Sequence, residues 1–128
     1  MRHIIFYSTI LLMLIFNIGC KKNRPIAGEY FGIFTYSIPQ GLVKTAYIEI
    51  SNPSKTSITI NGFVVKKNGK KIEGKIGSVG NMTDVFINGE WSHNLFSNQY
   101  KIIGNFTETY YQGGNEYQNS GTFEIKSN

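Results

Sequence analysis

The run from Phe63 to Ile76, in which two β-rich stretches flank Asn68-Gly69, constrains the fold more than any other part of the chain. An Asn-Gly dipeptide in this setting favours a two-residue type I′ turn, because both central positions of that turn need a positive φ. Such a turn places Lys67 opposite Lys70 and fixes the pairs that follow. In this register one face of the hairpin is apolar and carries Phe63, Val65, Ile72 and Ile76. The other face is mostly charged and carries Val64, Lys66, Lys71, Glu73 and Lys75. The sequence therefore predicts a half-buried antiparallel hairpin.

The chain beyond Gly28 continues this alternation and shows no helical period. Residues 44–51 alternate apolar and polar side chains, and the last run places Phe123 and Ile125 on one face with polar neighbours on the other. Gly- and Asn-rich turn signals separate these runs. The sequence therefore predicts an all-β fold, an antiparallel meander of about seven or eight strands that forms a small β-barrel or sandwich.

Two further Asn-Gly dipeptides lie within β-rich segments. The phase of the apolar positions flips at Asn61-Gly62, and one extra residue in a β-bulge would absorb the flip. Asn88-Gly89 interrupts the segment from Met82 to His93, so a turn or a bulge is expected there as well.

The inward positions of such a barrel carry aromatic rings, which can either fill the interior or line a pocket. About eight strands enclose a space just wide enough for side chains or for one small ligand. Mid-strand glycines at Gly32, Gly74 and Gly104 leave space or permit sharp curvature. Glu108 shares the phase of Phe106, so it is expected inside, where it could bind a polar ligand group or pair with a tyrosine hydroxyl. The candidate ligand cavity comprises Phe34, Phe63, Phe106, Glu108 and Phe123.

A candidate interaction surface lies in two turn regions. Tyr110, Tyr111 and Tyr117 flank the turn signal at Gly113-Gly114 and are expected to form an exposed aromatic patch. Lysines around the Asn68-Gly69 turn could contact an acidic partner or could keep exposed strands from pairing edge to edge. These lysines are Lys66, Lys67, Lys70 and Lys71.

Catalytic chemistry has little support. His93 is the only histidine after residue 20, and it lies close in sequence to Asp84 and Glu90. In a strand, however, Glu90 and His93 point to opposite faces, so they form no acid-base pair or metal cluster there. We therefore expect no catalytic residues, no metal ligands and no cofactor.

The N-terminal segment has the composition of an export signal. It begins with a positive residue, Arg2, continues as a short apolar run and ends at Gly19-Cys20, where Cys20 is the only cysteine of the chain. The arrangement resembles the lipobox of bacterial lipoproteins, in which cleavage after the small residue leaves a lipid-modified cysteine at the new N-terminus. This resemblance implies a signal peptide, with a signal helix, at residues 1–19, a lipidated tether at 20–27 and a folded domain at 28–128.

The lipobox resemblance also implies a location. Lys21 follows the lipid site, whereas the inner-membrane retention signal of enterobacterial lipoproteins is Asp at that position. A lipid-anchored protein of the bacterial cell envelope is therefore expected, at the outer membrane and facing the periplasm. The net charge of +5 is modest, and an exported, membrane-tethered chain is not expected to bind nucleic acid.

The folded part resembles small lipocalin-like (calycin) barrels. The resemblance lies in an opening Gly28-x-Tyr30 strand, where that group carries Gly-x-Trp, and in a closing strand at residues 121–125. It implies a barrel that holds a small apolar or amphipathic ligand. The alternative, favoured because no convergent polar site is visible, is a non-catalytic interaction or inhibitor-like module that binds another envelope protein.

Overall fold

A computed structural model of the chain describes residues 25–128. The predicted signal helix, Gly19 and Cys20 lie outside the described residues, as do residues 20–24 of the predicted tether. The described part contains eight β-strands in chain order. They are β1 (Gly28–Tyr36), β2 (Val43–Ser51), β3 (Ser57–Ile60), β4 (Phe63–Asn68), β5 (Lys71–Val79), β6 (Met82–Asn94), β7 (Gln99–Gln112) and β8 (Asn115–Ser127).

Each strand pairs antiparallel with its neighbour in sequence, and the last strand pairs with the first to close the sheet. β1 meets β8 from Tyr30 opposite Ser127 to Tyr36 opposite Gly121. The predicted all-β meander is confirmed, and closure shows that the sheet is a barrel and not a sandwich. Closure also pairs β1 and β8, the two strands that would otherwise be the edges of this sheet.

The up-and-down order gives the barrel two distinct ends. The chain enters β1 at what we term the N-terminal end, where the loops 52–56, 69–70 and 95–98 also lie. The opposite end carries the loops 37–42, 80–81 and 113–114. The two predicted interaction regions therefore lie at different ends, with the lysines at the N-terminal end and the tyrosines at the opposite end.

The β4–β5 hairpin exists but has a different register from the predicted one. Asn68 lies opposite Lys71, and Lys67 lies opposite Ile72. The two-residue turn therefore consists of Gly69 and Lys70, and of these two only Gly69 has a positive φ, at 60°. A positive φ at the first central position is the requirement of a type II′ turn. The predicted type I′ turn at Asn68-Gly69 is wrong by one residue.

The other two Asn-Gly dipeptides also differ from expectation. Asn61 and Gly62 have φ values of 50° and 84° and form a two-residue turn between β3 and β4. The apolar phase flips there because the chain reverses direction, so no bulge is needed. Asn88-Gly89 continues β6 without a turn, and Gly89 lies opposite Gly104 of β7.

The inward glycines are points of close strand approach and not empty space. A Cβ on Gly104 would overlap the carbonyl oxygen of Asn88 on the neighbouring strand. A Cβ on Gly121 would overlap the carbonyl oxygen of Thr35, and one on Gly89 would lie 2.5 Å from the carbonyl oxygen of Ile103. These three positions need glycine because the strands of a narrow barrel bend tightly there.

We predict that Gly104→Ala destabilises the barrel by about 1–3 kcal/mol, because an added methyl group in a filled site forces the backbone apart. Chemical denaturation monitored by circular dichroism would measure the change. Asn105→Ala is the matched control, since Asn105 is the next residue of β7 and its side chain is exposed. Equal stability of the two variants would contradict the close packing at Gly104.

Candidate functional site

Three of the predicted cavity residues pack directly against one another inside the barrel. The Phe34 ring meets the Phe106 ring edge-to-face at 5.3 Å between centroids and stacks on Phe123 at 5.9 Å. Tyr36 adds an edge-to-face contact with Phe106 at 5.1 Å. All four side chains are at most 2% exposed. Because β1, β7 and β8 are neighbours around the barrel, strand pairing brings these rings together, and they fill the space between those strands.

Phe63 does not belong to this group. Its side chain is 43% exposed, so the expectation that it lines the interior is wrong. It is the first residue of β4, directly after the turn at Asn61-Gly62, and its ring lies against Gly77 of β5. The phase along β4 is inward at this position, but β3 and β4 end before the full height of the barrel, which leaves the ring at a rim.

Glu108 lies inside the barrel and is 4% exposed. The Tyr36 hydroxyl donates a hydrogen bond of 2.9 Å to Oε1, and the backbone N–H of Thr83 donates one of 2.9 Å to Oε2. Each carboxylate oxygen therefore has a protein donor, as a buried charge requires. Of the two roles expected for this residue, the structure shows the pairing with a tyrosine hydroxyl.

Burial, together with this contact, makes Tyr36 hard to ionise. Burial raises the pKa of the Tyr36 hydroxyl above its usual value of 10.0, and the hydrogen bond and negative charge of Glu108 raise it further. Burial also raises the pKa of Tyr30, whose hydroxyl donates a 2.6 Å hydrogen bond to the Ile26 carbonyl. These two hydroxyls are held neutral well above neutral pH.

The lysine cluster is not a uniform surface. Lys66, Lys70 and Lys71 are exposed, but Lys67 is only 5% exposed and does not belong to the predicted interaction surface. Its ammonium lies 3.4 Å from the Lys55 carbonyl oxygen and 5.8 Å from the centroid of the Trp91 ring. The alternative register explains the burial, because it aligns Lys67 with the inward Ile72.

Trp91 fixes the turn that carries these lysines. Its indole Nε1 donates a 3.0 Å hydrogen bond to the Gly69 carbonyl, and its backbone N–H donates a 2.9 Å bond to the Lys70 carbonyl. Trp91 comes from β6, so the sequence around the turn contains no sign of this contact.

The predicted tyrosines lie on a ribbon that extends beyond the barrel. β7 pairs with β8 as far as Gln112 opposite Asn115, whereas the β6–β7 pairing stops at Glu108 and the β8–β1 pairing stops at Gly121. Among the described residues, positions 109–118 therefore form a two-stranded hairpin without lateral partners. We call this segment the projecting hairpin.

The projecting hairpin presents aromatic surface on both faces. Tyr110 and Tyr117 lie opposite each other, and their rings stack at 5.4 Å with 21° between the planes. Tyr111 points to the other face and is 70% exposed, while Tyr117 is 43% exposed. The projecting hairpin therefore combines a cross-strand tyrosine stack with unpaired strand edges.

The other polar side chains singled out from the sequence are held in separate local contacts. His93 shares a 2.9 Å hydrogen bond with the Asn98 side chain and stacks on Tyr100, while Asp84 forms an ion pair of 2.9 Å with Lys75. Within residues 25–128, no group of three or more His, Cys, Asp or Glu side chains could hold a metal ion. A concavity of about 580 Å³, lined by both polar and apolar side chains, lies along β5–β7 beside Glu90.

Comparison with protein-family models, with curated proteins and with solved structures finds no match to this chain. In the described part of the chain, no helix is long and apolar enough to cross a membrane.

We predict that stability falls as the pH rises above 10, because the folded-state pKa values of Tyr30 and Tyr36 are raised and the folded state then binds more protons than the unfolded state. The loss amounts to roughly 1.4 kcal/mol per pH unit for each tyrosine. Stability from these groups is complete below pH 10. Urea denaturation at several pH values would measure the slope.

Tyr36→Phe separates the two contributions of this residue. At neutral pH the variant should lose about 1–3 kcal/mol, because the Glu108 carboxylate loses a buried donor. Above pH 10 it should lose stability about half as steeply as the parent protein, since only Tyr30 still contributes. Tyr47→Phe, at a side chain that is 72% exposed, is the control and should change neither quantity. An unchanged alkaline slope in Tyr36→Phe would disprove the assignment.

Proposed function

We propose that this protein is a lipid-tethered β-barrel of the bacterial cell envelope, at the outer membrane and facing the periplasm, that binds another envelope protein without catalysis. The observation that carries the proposal is the projecting hairpin at residues 109–118, with Tyr111 and Tyr117 exposed at 70% and 43%. An inhibitor-like or assembly role fits such a surface, because the barrel acts as a rigid support for one protruding element.

The chemistry of the projecting hairpin suits protein recognition. Tyrosine is enriched at protein interfaces because it contributes a large, rigid surface and a polar hydroxyl. The unpaired edges of the hairpin also offer backbone N–H and C=O groups to an extended segment of a partner, as in strand addition. A partner could therefore gain hydrogen bonds from the edge and apolar contact from the tyrosines.

The tether is supported by the sequence and by the position at which the chain enters the barrel. The apolar run ending at Gly19-Cys20 resembles a lipobox, and Cys20 stands only five residues before Pro25. The chain enters the barrel at the N-terminal end, whereas the projecting hairpin leaves the opposite end. A lipid on Cys20 would therefore direct the tyrosines away from the membrane.

Ligand binding inside the barrel is the less favoured alternative. The inward rings of Phe34, Phe106 and Phe123 contact one another, and Glu108 already accepts two hydrogen bonds. A small apolar ligand would have to displace these contacts. The packing therefore supports the interaction module over a lipocalin-like carrier.

We predict that a photo-crosslinking amino acid at position 111 of the full chain joins the protein to its partner in the bacterium that makes it. The double variant Tyr111→Ser/Tyr117→Ser should lower recovery of that partner by about tenfold or more. Tyrosines that become buried in a complex supply much of the binding energy of many interfaces. Its melting temperature should fall only slightly, since the change removes the stack of Tyr117 on Tyr110 but no side chain of the buried core.

Tyr47 provides a matched control for this experiment. It has the same side chain at nearly the same exposure, 72% against 70% for Tyr111, but lies on the barrel wall in β2. Crosslinking at position 47 should give no equivalent adduct, and Tyr47→Ser should retain the partner. Equal adducts at positions 47 and 111, or full recovery with the double variant, would contradict the proposed surface.

For the tether, we predict that Cys20→Ser abolishes lipid modification, since a serine hydroxyl cannot form the thioether. Intact-mass spectrometry of the membrane fraction should find the parent chain starting at residue 20 with diacylglyceryl and acyl mass added. The variant should retain residues 1–19. An unmodified parent chain that starts at residue 20 would disprove lipidation while leaving export intact.

A further inference from the structure

A second apolar surface lies at the N-terminal end, in the loop between β6 and β7. Leu95 is 68% exposed and Phe96 is 104% exposed, so the Phe96 ring contacts almost nothing in the protein. Because both side chains are exposed at a loop tip, they contribute no buried apolar surface to the stability of the fold. Such surface commonly marks a contact with another molecule or with a membrane.

The protein holds this loop in a defined shape. The Asn94 side-chain oxygen accepts hydrogen bonds from the backbone N–H groups of Phe96 and Ser97, at 2.9 and 3.3 Å. The Asn98 side chain bonds to His93 at 2.9 Å, and the Asn98 backbone has a φ of 54°. These contacts fix the backbone on both sides of the tip, so Leu95 and Phe96 point outward.

The surroundings of the loop are basic and partly apolar. Exposed lysines lie in or beside the neighbouring loops of the same end, at Lys55, Lys70 and Lys71, and Ile26 is 55% exposed where the chain enters the barrel. An apolar tip beside several lysines is complementary to a membrane surface with anionic headgroups.

Carboxylates near this end lie on the barrel wall and not in the loops. The side-chain carboxylates belong to Glu29, Glu49, Glu73, Glu90 and Glu124, which are all within strands. Two of them lie opposite exposed lysines in the sheet, Glu73 opposite Lys66 and Glu90 opposite Lys71. The loop tips that would reach a membrane first therefore carry lysines and apolar side chains.

The first described residue, Pro25, comes shortly before β1 begins at the same end. From Cys20 to Pro25 there are five residues, which span at most about 17 Å when fully extended. On the proposed tether, a lipid at Cys20 would therefore hold the loop close to the bilayer. A contact between the loop and lipids that is too weak to bring a free protein to the membrane can still form in a tethered protein. The tether keeps the loop at a high local concentration beside the bilayer.

We propose that the N-terminal end of the barrel rests on the membrane, with Leu95 and Phe96 inserted among the lipids and the surrounding lysines on anionic headgroups. The inference rests on the proposed tether and goes beyond it, since it assigns the orientation of the barrel. The projecting hairpin then points along the membrane normal, toward the periplasm.

The test places a tryptophan in the loop of the full chain. Phe96→Trp is reconstituted into vesicles of phosphatidylethanolamine and phosphatidylglycerol, with or without brominated phosphatidylcholine, which quenches tryptophan only in the acyl region. Tyr111→Trp, at the opposite end, is the matched control. The parent protein supplies the signal of Trp91, its only tryptophan, for subtraction.

We expect the brominated lipid to quench the tryptophan of the Phe96→Trp variant several-fold more than that of the Tyr111→Trp variant. Aqueous acrylamide should show the reverse preference. Quenching of both introduced tryptophans by acrylamide alone would overturn the proposal. Protection of the loop tryptophan from both quenchers would also overturn it, because a second copy or another protein would then cover the loop.

Failure of the loop insertion can be distinguished from failure of the tether. A lipid on Cys20 and an uncut apolar run at residues 4–18 would each keep the full chain on the vesicle. Quenching of the introduced tryptophan therefore measures only whether the loop enters the acyl region. The intact mass of the chain measures whether Cys20 carries a lipid. Membrane-held chains whose loop tryptophan is not quenched by the brominated lipid would refute the inserted loop and leave the tether standing.

Discussion

The structure depends on the pairing of its first strand with its last. Every other strand pair joins neighbours in sequence through a hairpin or a short loop, whereas Tyr36 meets Gly121 across most of the domain. This contact closes the sheet and brings Phe34 against Phe106 and Phe123. Gly121 permits it, because any side chain there would overlap the carbonyl of Thr35. Without closure, the aromatic rings would have no common interior to fill.

With the interior filled by side chains, the surfaces proposed for binding lie at the two ends of the barrel. The N-terminal end combines lysines with the exposed Leu95 and Phe96, while the opposite end carries the projecting hairpin and its tyrosines. The two surfaces differ in charge and in apolar character, so they suit different partners. On the proposals made above, one end would face the membrane and the other would face a protein partner.

The strands and the alternation along them could be predicted from the sequence, but their registers could not. The three Asn-Gly dipeptides adopt three different structures. Asn61-Gly62 is a two-residue turn, Asn68-Gly69 is the first half of a turn displaced by one residue from the predicted one, and Asn88-Gly89 lies within an uninterrupted strand. Registers that differ by one residue satisfy the same local turn preferences. The choice at Gly69 involves the hydrogen bond from Trp91, which lies 22 residues away along the chain.

Alternation along the strands is a local property, so the sequence was enough to predict the all-β class, the inward phase of Phe34, Phe106, Glu108 and Phe123, and the exposure of Tyr111 and Tyr117. Tyr110, expected in the same exposed patch, is half-buried. Closure of the sheet, burial of Lys67 and exposure of Phe63 at a rim became visible only in the folded protein. The structure also showed that the inward glycines are strand contacts and not empty space. These features depend on segments that are distant in sequence and meet only when the barrel closes.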